Sequence, residues 1–347
     1  MRALTGVVQP AVTRERGSTV TDLSMPTMLV PSAQNQPQSG PVVFTEGYHF
    51  QLARDWSIDD LFAQLNAPLS VILQVTKRCD FDCNFCSEIL QLPDPTLAQL
   101  DTMRANLVGV QRVFLSGGEP LMRRDFGDIV DMYSEFILGI PTNATRALKH
   151  VARLAGKVAY VNVGLEGPRA ITQRVRGDYD KVMAGIRVFQ EHGLPLSLSC
   201  VVLRSDLHGL PFTYQIADTI DAGKLKLIMP LRKGNALDLD EHEFISNAEA
   251  ESTFRNLTAL ASTYAWRAAL RLTAWIPETE GHMICVEPTG KANAWPVYDA
   301  PDLFEPLGNV LEEPITEIWK RYRFQRNHVA KYLGASIHTT QRGGGHA

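Results

Sequence analysis

Leu69-Ser-Val-Ile-Leu-Gln-Val75-Thr-Lys-Arg-Cys79-Asp-Phe-Asp-Cys83-Asn-Phe-Cys86 joins a β-rich run to a loop that carries three cysteines. Residues 69–75 read as a strand, and they open a regular alternation. Further strands are expected over 112–116, 136–140, 158–165, 195–203 and 225–229. Between them the apolar spacing is helical: Leu97, Leu100, Met103 and Leu107, then Phe126, Ile129, Met132 and Phe136, then residues 146–154. Tyr179, Val182, Ile186 and Phe189 mark another helix, which Gly193 suits as C-cap, and 210–222 a last one with Pro211 in its first turn. Strands alternating with helices predict an α/β fold with a parallel sheet and right-handed crossovers. Such sheets bind ligands at the C-terminal ends of their strands. The cysteine loop and the Gly117-Gly118 turn both fall at such ends.

The three cysteines have the spacing C-x-x-x-C-x-x-C, which puts their sulfurs on one compact loop. Thiolates are the natural ligands of iron–sulfur clusters. Three ligands on a four-iron cube leave one iron open, as catalytic metal sites require. A structural zinc site takes four ligands, and the nearest downstream histidine, His150, is too far along the chain to complete one locally.

These residues closely resemble the radical S-adenosylmethionine (SAM) superfamily, including the aromatic Phe85 before the third cysteine. The resemblance continues in Phe114-Leu-Ser-Gly-Gly-Glu-Pro120, which looks like that family's Gly-Gly-Glu-Pro turn. It implies that the Gly117–Pro120 backbone and Glu119 meet the SAM ammonium group. Glycines allow close approach and a carboxylate complements the charge. Pro141-Thr142-Asn143-Ala144-Thr145 is similar to the Thr-Asn-Gly-Thr segment of the branch that carries a C-terminal SPASM domain, with Ala144 in place of Gly. Val163-Gly164-Leu165-Glu166-Gly167-Pro168 is similar to its Ser-Leu-Asp-Gly-Pro strand end, with Gly164 and Glu166 substituted. Arg176-Gly177 resembles its Arg-Gly step, which implies an Arg176 contact to the SAM carboxylate, and Met229 lies where the branch approaches the adenine.

The resemblance covers roughly residues 68–325. It implies a partial (β/α)6 radical SAM barrel over 46–236 and a small α+β SPASM-like extension over 237–335. The cofactors would be one 4Fe-4S cluster on Cys79, Cys83 and Cys86, and SAM. A flavodoxin- or ferredoxin-type protein would supply the electron. In the extension, an acidic connector at 237–244, a helix at 248–264, a strand near 283–287 and a closing helix at 315–332 are expected. Glu287-Pro-Thr-Gly-Lys291 and Leu307-Gly-Asn-Val310 resemble SPASM turns. Yet Cys285 is the only cysteine beyond Cys200, and Ala294-Trp295-Pro296 stands where a ligand is expected. One thiolate cannot hold an auxiliary cluster.

A single cluster favours a redox-neutral step, such as epimerisation, decarboxylation or elimination, over oxidation. Cys285 is then a candidate hydrogen-atom donor, against the simpler reading of a buried small hydrophobe; Cys200, within an alternating strand, is a weaker one. His282 lies near Cys285 in sequence. The expected substrate is a small sugar, nucleoside or aminocyclitol intermediate of natural-product biosynthesis, because residues 1–67 offer no clear leader-binding module. The alternative is a ribosomally made peptide. Lys226, Arg232 and Lys233 gather around the sixth strand and suit an anionic group, although a solvated basic edge is the simpler reading.

Composition narrows the remaining classes. The chain has 347 residues, 45% of them hydrophobic and 21% charged, with a net charge of −4. That balance argues against nucleic acid as a main partner. No run reaches the ~18 apolar residues of a membrane span, and no signal-peptide core precedes residue 31. With clustered, odd-numbered cysteines this reads as a cytoplasmic protein in a reducing compartment. Residues 1–45, rich in Ser, Thr, Gln and Pro, are expected as a disordered tail, with a short helix capped by Ser57 after them; 336–347 form a flexible end.

Overall fold

The computed structural model describes residues 42–45, 48–53, 58–273, 283–295 and 306–322. The N-terminal 41 residues, Ser57, His282, Pro296, the outer part of the closing helix and the C-terminal tail lie outside these. Of residues 1–45, expected as a tail, 42–45 are described. Val42–Phe44 (β1) pairs antiparallel with Phe50–Leu52 (β2), burying Val42 and Phe50 against Leu61 and Leu69. Leu61 comes from the short helix Ile58–Gln64 (α1).

The alternation is present as strand Ser70–Thr76 (β3), helix Leu97–Ala105 (α2), strand Arg112–Gly117 (β4), helix Phe126–Met132 (α3), strand Ile137–Thr142 (β5), helix Ala147–Leu154 (α4) and strand Tyr160–Gly164 (β6). Helices Arg169–Val175 (α5) and Tyr179–Glu191 (α6) precede strand Leu196–Val201 (β7), and helix Leu210–Thr219 (α7) precedes strand Lys224–Ile228 (β8). Thr96 starts α2 with a reciprocal capping box to Gln99, and Asp178 caps α6 by accepting from the Lys181 amide.

Two additions extend the sheet beyond the expected six strands. Helix Asn247–Tyr264 (α8) leads to strand Ala269–Thr273 (β9), which pairs parallel with β8. Strand Met283–Val286 (β10) pairs parallel with β3 on the opposite side, then antiparallel with Lys291–Trp295 (β11). A two-residue strand, Gly308–Asn309 (β12), and helix Ile315–Arg321 (α9) complete the described chain. The sheet order is β12-β11-β10-β3-β4-β5-β6-β7-β8-β9. The C-terminal region therefore continues the sheet from both edges. β9 had no legible signal, since Ala269-Leu-Arg-Leu-Thr273 is short and half polar.

The two faces of the sheet differ. Val71, Leu73, Val113, Leu115, Leu138, Ile140, Val161, Val163, Leu198, Leu225 and Leu227 lie on one face, fully or almost fully buried against Leu100, Ile129, Val151, Ile186 and Phe189 of the helices. The alternate positions carry Ser70, Gln74, Arg112, Ser116, Asn162, Ser197, Ser199, Lys224 and Lys226. A sheet buried in apolar surroundings on both sides would read as continuous hydrophobic runs. Here one cavity is lined by Ile72, Phe114, Pro141, Asn162, Lys226 and Met283, which belong to six different strands. The sheet curls around a polar interior as a partial barrel, and the helices cover its outside.

This two-faced sheet predicts unequal sensitivity. Leu227→Ala, on the helix side, should lose about 2–5 kcal/mol in urea unfolding. Ser116→Ala, on the cavity side, should stay within about 0.5 kcal/mol. Equal losses would contradict the assignment of faces.

Candidate active site

The cysteine loop leaves the C-terminal end of β3, and three neighbouring loops hold it. From the β5–α4 turn, Asn143 Nδ2 donates to Asp80 Oδ1 at 2.8 Å and Thr145 Oγ1 to Asp80 Oδ2 at 2.9 Å, while Arg146 Nε lies 3.2 Å from Asp80 Oδ2. At the end of α5, the Asn84 amide donates to the Val175 carbonyl at 3.0 Å. Beyond β8, the Asn235 amide donates to the Cys86 carbonyl at 2.9 Å, and its side chain donates to Asp82 Oδ1 and the Cys83 carbonyl. Asn235 is a site residue that the sequence reading missed, because it lies 149 positions from Cys86 with no motif around it.

Cys79 is exposed, Cys83 buried and Cys86 half-buried, and all three line a cavity of about 380 Å³. Backbone amides face two of the sulfurs: Phe81 N donates to Cys79 Sγ and Glu88 N to Cys86 Sγ, each at 3.4 Å. Burial pushes the Cys79 thiol up to about 11 and the Cys83 thiol up to about 12, and raises Cys86 as well. Among the described residues, no three His, Cys, Asp or Glu side chains converge on a single metal ion. A cube differs from such an ion in needing each thiolate at a separate iron. Three thiols on one loop, opening on one cavity and two of them met by amide donors, fit that demand.

The Gly117-Gly118 pair forms the adjoining wall. A Cβ on Gly117 would lie 1.9 Å from the Thr76 carbonyl oxygen, and one on Gly118 2.5 Å from that of Arg78. The glycines thus let β4 end directly against the root of the cysteine loop, where Gly118 N donates to Thr76 O and Glu119 N to Arg78 O. Glu119 lies almost entirely within the protein. Its carboxylate accepts from Leu121 N at 3.0 Å, Thr142 Oγ1 at 2.7 Å and Asn143 N at 2.6 Å. Burial pushes Glu119 up to about 7 against these three donors. It lines the cavity while locking the end of β5.

Arg176 has a protein partner of its own. Its guanidinium is paired in two-pronged fashion with Glu166, Nε to Oε2 at 2.5 Å and Nη2 to Oε1 at 2.7 Å, and lies 5.2 Å from the Phe85 ring centre. Both residues are largely buried. A Cβ on Gly164 would come within 2.3 Å of the guanidinium carbon. The two departures noted at 164 and 166 are therefore one adaptation: Gly164 makes room for Arg176, and Glu166 binds it. Glu166 lies behind Arg176, outside the lining of both described cavities; Pro120 also lies outside it.

Phe85, Gly117, Gly118, Glu119, Thr142, Asn143 and Arg176 line the first cavity with the cysteines. Met229 lines a second one, of about 370 Å³, which shares Phe85, Cys86, Glu88, Asn162 and Arg176 with the first. Glu88, unnoticed in the sequence, borders both. It accepts from Lys77 Nζ at 2.5 Å, Lys233 Nζ at 3.0 Å and Gln74 Nε2 at 2.9 Å. Burial opposes its charge, but Lys77 and then Lys233 outweigh this and hold its carboxyl below the usual range. Cys285 is buried on β10 opposite Ile72, outside the lining of both cavities, and burial pushes its thiol up to about 12. Cys200 belongs to the helix-side core.

Comparison with known proteins agrees with this geometry. Residues 73–207 match the family model described as Radical SAM superfamily. The chain thus carries a radical SAM domain, whose family binds a 4Fe-4S cluster and SAM. It is 33% identical over 177 residues to a PqqA peptide cyclase of Rhodopseudomonas palustris, covering 46% of each protein. It is 31% identical over 182 residues to a GTP 3′,8-cyclase of Rhizobium etli, covering 44% of this chain and 52% of that one. The matched region spans about half the length of these relatives. The fold is similar to Streptococcus suis SuiB bound to precursor peptide SuiA, with a TM-score of 0.63 and 13% identity over 76% of this chain and 66% of that one. It is also similar to anSMEcpe with bound AdoMet and a peptide, with a TM-score of 0.60 and 17% identity over 78% and 84%. Among the described residues no helix is long and apolar enough to cross a membrane.

The Arg176–Glu166 pair generates a direct test. Arg176→Met leaves a buried carboxylate alone and should cost about 3–5 kcal/mol in unfolding free energy. Adding Glu166→Leu should restore most of that loss. A double variant as unstable as the single one would contradict the pairing.

Proposed function

We propose that this protein is a radical SAM enzyme with one 4Fe-4S cluster that modifies a peptide. One observation carries the reading: the three cysteines open onto a cavity walled by the Gly117–Glu119 turn, directly adjoining a second cavity inside the barrel. Cys79, Cys83 and Cys86 would hold the cluster. With SAM, the bound group supplies a 5′-deoxyadenosyl radical able to take a hydrogen atom from an unactivated carbon.

The chain's own residues bind and position. Asp80, Asn84 and Asn235 fix the loop that presents the thiolates. Gly118, Glu119, Thr142 and Asn143 offer polar contacts for the amino-acid part of SAM, with Glu119 acting through the β5 end that it locks. Phe85 and Met229 provide apolar surface toward the second cavity. Arg176, with two of its guanidinium nitrogens on Glu166, stiffens the wall shared by the two cavities. The second cavity falls in the ~300–1,000 Å³ range typical of ligand pockets and takes the substrate.

For the substrate, the likeness to a PqqA peptide cyclase favours a peptide over a sugar, nucleoside or aminocyclitol. The sparse cysteines of the C-terminal region, which we read as a reduced SPASM-like extension, support a single cluster and a redox-neutral outcome. Cys285 would reach substrate as a hydrogen donor only after local rearrangement, and it drops out of the minimal mechanism.

The test uses the anaerobically reconstituted full chain, SAM, a reductant and perdeuterated peptides encoded beside its gene. Deuterium should appear in 5′-deoxyadenosine. Absence of SAM cleavage would remove the radical SAM reading. Cleavage with deuterium from a sugar or nucleoside, and none from any peptide, would remove the peptide reading alone.

A further inference from the structure

The second cavity contains a charge arrangement that the cofactor does not use. Lys224-Leu-Lys-Leu-Ile228 places two lysines on the cavity side of β8. Lys224 is buried, donates to the Tyr48 carbonyl at 3.2 Å and stacks 4.8 Å from the Tyr160 ring centre. Lys226 is half-buried with its accessible part in the cavity, and among the described residues it forms no ion pair or hydrogen bond. Arg112 on β4 and Arg271 on β9 are further cations, and Arg271 is paired in register with Lys226. Among the described residues, the carboxylate in the lining is that of Glu88, already held by Lys77 and Lys233. The three basic residues grouped in the sequence are thus separated. Arg232 pairs with Glu241 outside, Lys233 pairs with Glu88, and Lys226 alone faces the interior.

A second, independent feature lies in the same wall. Gln74 is 3% exposed and lines the cavity; its Nε2 is used by Glu88, while its Oε1 has no partner. A buried polar atom without a partner costs about 1–3 kcal/mol unless a ligand or water meets it.

The geometry points to Lys226, supported by Lys224, as the residue that binds an oxyanion of the substrate inside the barrel, a carboxylate or a phosphate, with Gln74 Oε1 accepting from a neighbouring substrate N–H or O–H. Burial, and then the nearby Arg112, push Lys226 down to about 8 from the usual ammonium range. An arriving anion favours the ammonium form further and gains a charge-assisted hydrogen bond. In a peptide the group would be an acidic side chain or a terminal carboxylate. This rests on the proposed use of the second cavity for substrate.

The test is lysine acylation of the reconstituted enzyme, read residue by residue by mass spectrometry. Glutarate, inorganic phosphate, neutral glutaramide and sodium chloride at matched ionic strength are compared. Glutarate or phosphate should protect Lys226 at least threefold, while chloride and glutaramide leave it unprotected. Stronger protection by glutarate identifies a carboxylate ligand, and stronger protection by phosphate a phosphorylated one; either supports the site. Calorimetric affinity for the protecting anion should fall at least about tenfold in Lys226→Met and largely recover in Lys226→Arg. Both variants should melt no lower than wild type, because Lys226 has no internal partner to lose. Equal reactivity in all four solutions, or unchanged affinity in Lys226→Met, would overturn the inference. SAM cleavage measured on the same preparation separates this failure from failure of the radical SAM reading.

Discussion

The structure depends on the clamping of one loop. Residues 79–86 form neither helix nor strand, yet they must present three sulfurs in a fixed arrangement. A loop so short on internal hydrogen bonds takes its shape from neighbours. Asp80 is held from the β5 end, Asn84 from the α5 end, and Cys83 and Cys86 from Asn235 beyond β8. These anchors lie at the same rim only because the sheet curls. A flat sheet of the same order would leave β8 far from β3.

Curling also creates the interior, and the residues there explain the division of the cavity. Near the cysteines the wall is backbone, hydroxyl and amide: Gly117, Gly118, Thr142 and Asn143. Deeper in, it turns aromatic and cationic: Phe114, Tyr160, Lys224 and Lys226. A buried cation without an internal counter-ion is a cost to folding. On the same strand the other face carries Leu225 and Leu227, so the cation is set on the cavity side alone.

Much of this was legible in the chain. The cysteine spacing and Gly-Gly-Glu-Pro are local, and the main strands and helices followed from periodicity. What escaped was long-range. Asn235 and Glu88 matter through partners far away in sequence, and β9 is too short and polar to announce itself. The substitutions at Gly164 and Glu166 were visible in the sequence, but their common cause, the Arg176 side chain between them, was spatial. Residues 225–229 read as a strand, but that Lys224 and Lys226 face a polar interior rather than solvent follows only from the curled sheet. The substrate lay furthest from the local signal, and the likeness to peptide-acting relatives moved that reading from a small metabolite to a peptide.

The central claim is that one loop holds one catalytic cluster in this chain. Iron and sulfide content of the anaerobically reconstituted protein, with its Mössbauer spectrum, measures it most directly. About four irons per chain in a 4Fe-4S spectrum, lost when Cys79, Cys83 and Cys86 are replaced by Ala, is the expected result. About eight irons, or a cluster that survives the triple replacement, would contradict it.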